Sequence, residues 1–221
     1  MPVNTEKYKE IITALGNRVT LVAVSKTKPA EDIQALYELG QRDFGENYVQ
    51  ELADKQQLLP AGIRWHFIGH LQTNKVKYIV PFVHLIHGVD SLRLLKEINK
   101  QAAKLGRQIN VLLQVHIARE ETKFGMDEAE LETALREAEA LTSIQINGLM
   151  GMASFSSDMT LVRDEFRYLH GLFEKHRTAS PRSGPWQILS MGMSADYSIA
   201  IEEGSTLVRI GSLLFGERVY S

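Results

Sequence analysis

Eight short β-rich runs, each followed by a segment of helical period, succeed one another from Val19 to the C-terminal region, and this alternation constrains the fold more than any other feature of the chain. A strand that returns to its sheet through a helix must return parallel, so repeated β/α units imply a parallel sheet covered by crossover helices. Eight is the number of units that closes a (β/α)8 TIM barrel. The runs are residues 19–25, 43–45, 64–68, 84–89, 109–115, 144–149, 186–189 and 206–210. The fifth is nearly unbroken in apolar residues, as expected of a strand covered on both faces. Between the runs, apolar residues recur at helical spacing: Ile33, Leu36 and Leu39; Leu95, Ile98, Ala102 and Leu105; Leu131, Leu135, Ala138 and Leu141; Val162, Phe166, Leu169 and Phe173. Ser91 stands where an N-cap belongs, and Asp127 with Glu130 has the spacing of a capping box. A further helix, with Tyr8, Ile11, Ile12 and Leu15, precedes the first strand. The 221 residues lie near the lower end of the range for a barrel, so residues 1–221 are expected to form one domain. An open doubly wound sheet is the alternative, but its glycine fingerprint would follow the first strand, where this chain has Lys26-Thr27-Lys28-Pro29.

Cysteine is absent, which removes disulfides, thiolate metal sites and cysteine nucleophiles. The net charge is -2 with both signs mixed along the chain, a poor match to nucleic acid or an anionic membrane surface. The N-terminus has no apolar stretch of the secretory type and no segment approaches transmembrane length, so a cytoplasmic protein is expected.

In a barrel the C-terminal ends of the strands meet at one mouth, and residues distant in sequence converge there. Lys26 closes the apolar run Val22-Ala23-Val24-Ser25 at that end of the first strand. A lysine with its stem in an apolar wall and its amine at a pocket edge is suited to Schiff-base chemistry. The loops after strands seven and eight, Ser190-Met191-Gly192-Met193-Ser194 and Gly211-Ser212, are small and glycine-bearing, and these are the loops that bind phosphate in such barrels. A carbonyl-trapping amine opposite a phosphate cradle points to pyridoxal 5'-phosphate (PLP). A Schiff-base aldolase acting on a sugar phosphate shares both requirements. The other mouth candidates are Glu46, Asn47, His70, Gln72, His116, Met150, Met152 and Arg209, with Glu46 read as capping its helix start and the methionines as fillers around the pocket. No pair of histidines has a metal-ligand spacing, so no metal is expected. Ser25 alternates to the face opposite Lys26, which argues against a Ser-Lys nucleophile pair.

Several long motifs resemble those of the pyridoxal phosphate homeostasis proteins, the YggS/PROSC family. They are Val22-Ala23-Val24-Ser25-Lys26-Thr27, Phe44-Gly45-Glu46-Asn47-Tyr48-Val49-Gln50-Glu51, Trp65-His66-Phe67-Ile68-Gly69-His70-Leu71-Gln72-Thr73-Asn74-Lys75, Gly148-Leu149-Met150-Gly151-Met152-Ala153, Leu189-Ser190-Met191-Gly192-Met193-Ser194-Ala195-Asp196, Val208-Arg209-Ile210-Gly211 and Phe215-Gly216-Glu217-Arg218. The resemblance spans the chain in the family's order. It implies the barrel of the alanine racemase N-terminal domain, with PLP held on Lys26 as an internal aldimine. It places Arg209 against the pyridine nitrogen, Ser194 and the backbone N–H groups of Gly211 and Ser212 on the phosphate, and Asn47 and Ser190 near the ring or its substituents. It implies no catalytic residue and no metal. One departure is His116, where the family usually has asparagine, which puts the polar contacts at the strand-five mouth in question.

The resemblance further implies a PLP-binding protein of intracellular PLP, vitamin B6 and amino-acid homeostasis, without robust catalysis, that is monomeric and has PLP-dependent apo-enzymes as possible partners. An arginine can only donate to the ring nitrogen, leaving the ring unprotonated and a weaker electron sink. The alternative is a weak amino-acid racemase. Racemases with this barrel take a second base, a tyrosine, from an additional β-domain, and the end of this chain at Ser221 leads us to expect that base to be missing.

Overall fold

The computed structural model describes residues 3–178 and 185–216; Glu217 and Arg218 of the last motif lie outside them. Eight strands, β1 (Thr20–Val24), β2 (Asp43–Glu46), β3 (Arg64–Phe67), β4 (Leu85–Val89), β5 (Ile109–Gln114), β6 (Ile144–Met150), β7 (Ile188–Met193) and β8 (Leu207–Ile210), pair in parallel and in chain order into a closed barrel. Closure is made by β1 against β8, with Leu21 opposite Val208 and Val22 opposite Arg209. Outside lie α1 (Thr5–Leu15), α2 (Ala30–Glu38), α3 (Val49–Leu58), α4 (Val76–Ile79), α5 (Leu92–Lys104), α6 (Glu128–Ala138), α7 (Met159–His176), α8 (Tyr197–Glu202) and α9 (Ser212–Phe215). The expected (β/α)8 barrel with an additional N-terminal helix is the fold observed. Helix α1 buries Tyr8, Ile11 and Leu15 and is tied to α9 by the Asn4 N–H, which donates to the Leu214 carbonyl at 2.8 Å. Among the described residues no helix is long and apolar enough to cross a membrane.

Side-chain alternation divides the strands into two buried surfaces. Leu21 and Ala23, Ile86, Val111 and Leu113, Leu189 and Met191, and Val208 and Ile210 belong to the large core between sheet and helices. Val22, Leu85, Leu112, Met150 and Leu207 form a second, smaller cluster inside the barrel. By the same parity Asp43, His66, His87, Ser190 and Arg209 point inward, so the barrel interior holds polar residues beside the apolar cluster. All five are buried.

Local chemistry sets the helix starts. The Ser91 side chain accepts from the Leu94 N–H, and Asp127 with Glu130 forms the expected capping box at 2.8 and 3.0 Å. Three expectations change. Leu39 and Leu105 sit at helix C-caps, where the helix face has run past the sheet, and both are exposed. Strand β7 begins two residues later than the pattern suggests and runs on to Met193, so Ser190 lies within a strand rather than a loop. Its pairing with β8, which shifts register between Ser190 and Met193, overrides the weak strand preference of Ser190 and Gly192.

Candidate functional site

The C-terminal strand ends surround a cavity of about 530 Å³. Lys26, Asn47, Ser194, Arg209, Gly211 and Ser212 line it together, although they come from four different β/α junctions. Ser190 does not line it: fully buried in β7, it touches Arg209 from beneath. His70 and His116 are also absent from the wall. The former bonds Asp90 at 2.8 Å and stacks on Phe124; the latter bonds the Glu120 carbonyl at 3.0 Å.

Lys26 occupies a tight turn closed by the Lys28 N–H donating to the Ser25 carbonyl at 3.0 Å. Thr27, the next residue, has φ 63° and is the only non-glycine residue with positive φ among those described, an unfavourable state for a β-branched side chain. A buried polar group behind the turn holds it there. The Thr27 N–H donates to Glu51 Oε1 at 2.6 Å, and Lys55 Nζ donates to Glu51 Oε1 (2.7 Å), Glu46 Oε1 (2.8 Å) and the Ser25 carbonyl (2.8 Å). The Ser25 hydroxyl donates to Glu46 Oε1 at 2.6 Å. Glu46 is therefore not a solvated helix cap. It is fully buried, and burial pushes its carboxyl up against the opposing pull of Lys55 and Ser25.

Arg209 is 4% exposed. Its NH1 donates to the Ser190 carbonyl at 2.9 Å and to Ser190 Oγ at 2.6 Å, and its NH2 donates to the Gly151 carbonyl at 3.1 Å. Burial lowers its pKa to about 10, against the stabilising charge of Asp196. The guanidinium therefore stays charged at neutral pH and presents only donors to the cavity. Opposite, Ser194 Oγ accepts from the Gly211 N–H at 3.3 Å. A side chain on Gly211 would bring its Cβ within 3.2 Å of Val24, so glycine is what lets this backbone lie against the end of β1.

Two observations bear on what the pocket holds. Asn47 Oδ1 is buried and has no partner among the described residues, and such an acceptor calls for a polar ligand atom. The Ser194 hydroxyl and the Gly211 N–H meet at one point of the wall, a donor set suited to a phosphate. With a lysine and a charged arginine in the same wall, the residues present fit PLP.

The sequence reading did not single out several lining residues. Lys28 Nζ donates to the Phe215 carbonyl at 2.8 Å, and Lys123 Nζ to the Ala153 carbonyl at 2.6 Å. Asp196 accepts from the Met193 N–H at 2.6 Å, and burial raises its carboxyl pKa. Phe155 is 94% exposed at the rim. Lys28 stands two residues from Lys26 and could have been found; Lys123 lies in the charged run Glu120-Glu121-Thr122-Lys123, which reads as solvated surface. At the opposite mouth, ligand-type atoms of Asp43, His66 and His84 lie within 4.8 Å of one another, a grouping that linear spacing does not show. Arg64 already pairs with Asp43, and Arg18 lines the same cavity, a cationic setting that disfavours a metal ion.

Residues 4–219 match the family model described as alanine racemase, N-terminal domain. The chain is 40% identical over 229 residues to the pyridoxal phosphate homeostasis protein of Escherichia coli K12, covering 99% of this chain and 97% of that protein. It is 42% identical to the protein of the same name from Aquifex aeolicus, over 92% of this chain and 89% of that one. Among solved structures, PipY of Synechococcus elongatus PCC7942, determined with PLP bound, superposes with a TM-score of 0.87 at 36% identity, covering 96% of this chain and 99% of that one. The alanine racemase of Bartonella henselae shares the fold, with a TM-score of 0.71 at 15% identity over 94% of this chain and 56% of that enzyme. A family match along nearly the whole chain, around a pocket that joins a lysine, a buried arginine and a phosphate-type loop, places this chain in the alanine racemase N-terminal-domain family, among the pyridoxal phosphate homeostasis proteins.

Proposed function

We propose that this protein binds PLP covalently through Lys26 and serves the homeostasis of intracellular PLP, vitamin B6 and amino acids, as a cytoplasmic monomer whose single domain carries the whole function and which has no robust catalytic activity of its own. The convergence of Lys26, Asn47, Ser194, Arg209, Gly211 and Ser212 on one cavity carries this reading. The names of the relatives and the PLP-bound state of PipY support it.

PLP supplies an aldehyde for capture by an amine and a ring that can withdraw electrons. Lys26 provides the amine. Ser194 and the N–H groups of Gly211 and Ser212 bind the phosphate, and Asn47 contacts a ring substituent. Ser190 stands behind Arg209 and acts near the ring only through it. Arg209 donates to the ring nitrogen and, having no acceptor, leaves it unprotonated, which weakens electron withdrawal and disfavours carbanion chemistry. Lys28 and Lys123 are both engaged with backbone carbonyls of the wall, at Phe215 and Ala153. PLP-dependent apo-enzymes that receive the cofactor are the partners this reading suggests.

The decisive experiment is an absorption spectrum of the purified protein with added PLP, followed by borohydride reduction and peptide mass mapping. A pyridoxyl mass on Lys26, absent in Lys26→Ala, is expected. A colourless protein with no adduct at Lys26 refutes the reading. An unmodified lysine that traps only an added sugar phosphate would identify an aldolase, and interconversion of alanine enantiomers that depends on Lys26 would identify a racemase.

A further inference from the structure

Five inward-facing residues form an unbroken hydrogen-bonded file through the barrel interior, from the N-terminal mouth to the pocket. Asp43 Oδ1 lies 3.0 Å from His66 Nε2; His66 Nδ1 lies 2.9 Å from His87 Nε2; His87 Nδ1 lies 3.0 Å from Ser190 Oγ; and Ser190 Oγ lies 2.6 Å from Arg209 NH1. The residues come from β2, β3, β4, β7 and β8 in turn. His66, His87 and Ser190 are almost completely buried, so no member between the ends can exchange its partner for bulk water.

The two ends fix the direction of every proton between them. A guanidinium only donates, so Ser190 Oγ accepts from Arg209 and keeps its own proton to give to His87 Nδ1. A neutral imidazole that accepts at Nδ1 carries its proton on Nε2, and His87 therefore donates to His66 Nδ1. His66 then carries its proton on Nε2 and donates to the Asp43 carboxylate, which only accepts. Reversing the file would require a protonated Asp43 or a second positive charge on a buried ring. Both are opposed: Asp43, despite its burial, is held ionised by its hydrogen bonds to His66 and Arg64, and a second charge would have to sit on a ring shut off from water, where burial already keeps His87 well below the ordinary histidine pKa.

We infer that Asp43, His66, His87 and Ser190 are positioning residues for Arg209, forming a one-way hydrogen-bond file that pins the guanidinium from beneath and holds it as a fixed donor toward the pocket. The inference about the pocket rests on the proposed placement of PLP against Arg209. The direction of the file does not.

Two measurements test it. Full-length protein labelled with nitrogen-15 in its histidines and studied with no ligand added by long-range proton–nitrogen correlation should show His66 and His87 both in the Nε2–H form. An Nδ1–H ring at either position, or a doubly protonated His66, overturns the assigned direction, whatever the pocket binds. The second reads the rate at which PLP leaves the loaded protein. His87→Leu breaks the file and should release PLP about tenfold faster, the loss expected for one hydrogen bond to a charged group. His87→Gln accepts at Oε1 and donates at Nε2, and should stay within about twofold of the unmodified protein. Equal losses in both variants mean that the histidine only fills space, and no loss in either means that the file does not act on the pocket; both results overturn the inference. If His87→Leu does not fold, the tautomers of the unmodified protein and the release rate of His87→Gln still decide. A protein with no adduct on Lys26 refutes the PLP reading instead and leaves the tautomer result standing.

Discussion

Lys55 Nζ lies 2.8 Å from Glu46 Oε1 in a pocket closed to solvent, directly behind the turn that carries Lys26. The ammonium also reaches Glu51 Oε1 and the Ser25 carbonyl. This buried pair couples the ends of β1 and β2 to α3 and supports a turn whose Thr27 is in an unfavourable conformation.

Breaking the pair from one side leaves an uncompensated charge. Lys55→Met is expected to destabilise the fold by about 3–5 kcal/mol, and Glu46→Gln by less, because its amide still accepts from Lys55. Chemical denaturation of the two single variants and of the double variant checks this. If the pair acts as a unit, the double variant loses less than the sum of the singles.

Thr27→Gly relieves the positive φ while keeping the N–H that bonds Glu51. Stability is expected to stay unchanged or rise by about 1 kcal/mol. A clear loss in thermal unfolding would mean that the Thr27 side chain contributes contacts that outweigh the backbone strain.

Asp43 gives the stability a specific acid limb. Burial alone would raise its carboxyl pKa, but the hydrogen bonds from His66 and Arg64, with the charge of Arg64, lower it from 3.8 to about 2. A carboxylate with a depressed folded-state pKa contributes stability that is fully present above the unfolded value and is lost as pH falls through the folded one. The contribution is about 2 kcal/mol, and it disappears between about pH 4 and pH 2. Asp43→Asn should be less stable at neutral pH and converge with the unmodified protein toward pH 2 in denaturant titrations; parallel curves across that range would contradict the assignment.

Gly69 abuts the site through its missing side chain. A Cβ there would lie 2.4 Å from the Asn47 carbonyl oxygen and 2.9 Å from its Cα. Gly69→Ala must therefore move backbone, at a cost of about 1–3 kcal/mol, and it displaces the Asn47 side chain from the pocket wall. Weaker PLP binding together with a lowered midpoint of unfolding is expected. Unchanged PLP binding would separate Asn47 from the ligand.

Much of this was legible in residue pattern. The β/α alternation gave the barrel, and the Asp127–Glu130 spacing gave a real capping box, because both depend on interactions between near neighbours. The ends of elements were less legible. Leu39 and Leu105 fit the helical period but fall at C-caps beyond the sheet's reach. The residue pattern ends β7 at Leu189 because Ser190 and Gly192 are weak strand formers, and only the pairing with β8 carries the strand through them. Lys28, Lys123 and Asp196 are not legible as pocket residues because a polar residue in a loop does not reveal in sequence which cavity it borders.

The chain by itself determined the barrel and the mouth at which Lys26 and the glycine loops assemble, since period and element order are properties of consecutive residues. Tertiary structure alone decided that Ser190 supports Arg209 from below, that Glu46 is buried against Lys55, and that Asp43, His66 and His87 stand in line. Alternation tells which face of a strand a residue occupies, but its neighbours on that face come from other strands, and the register and closure of the barrel choose them.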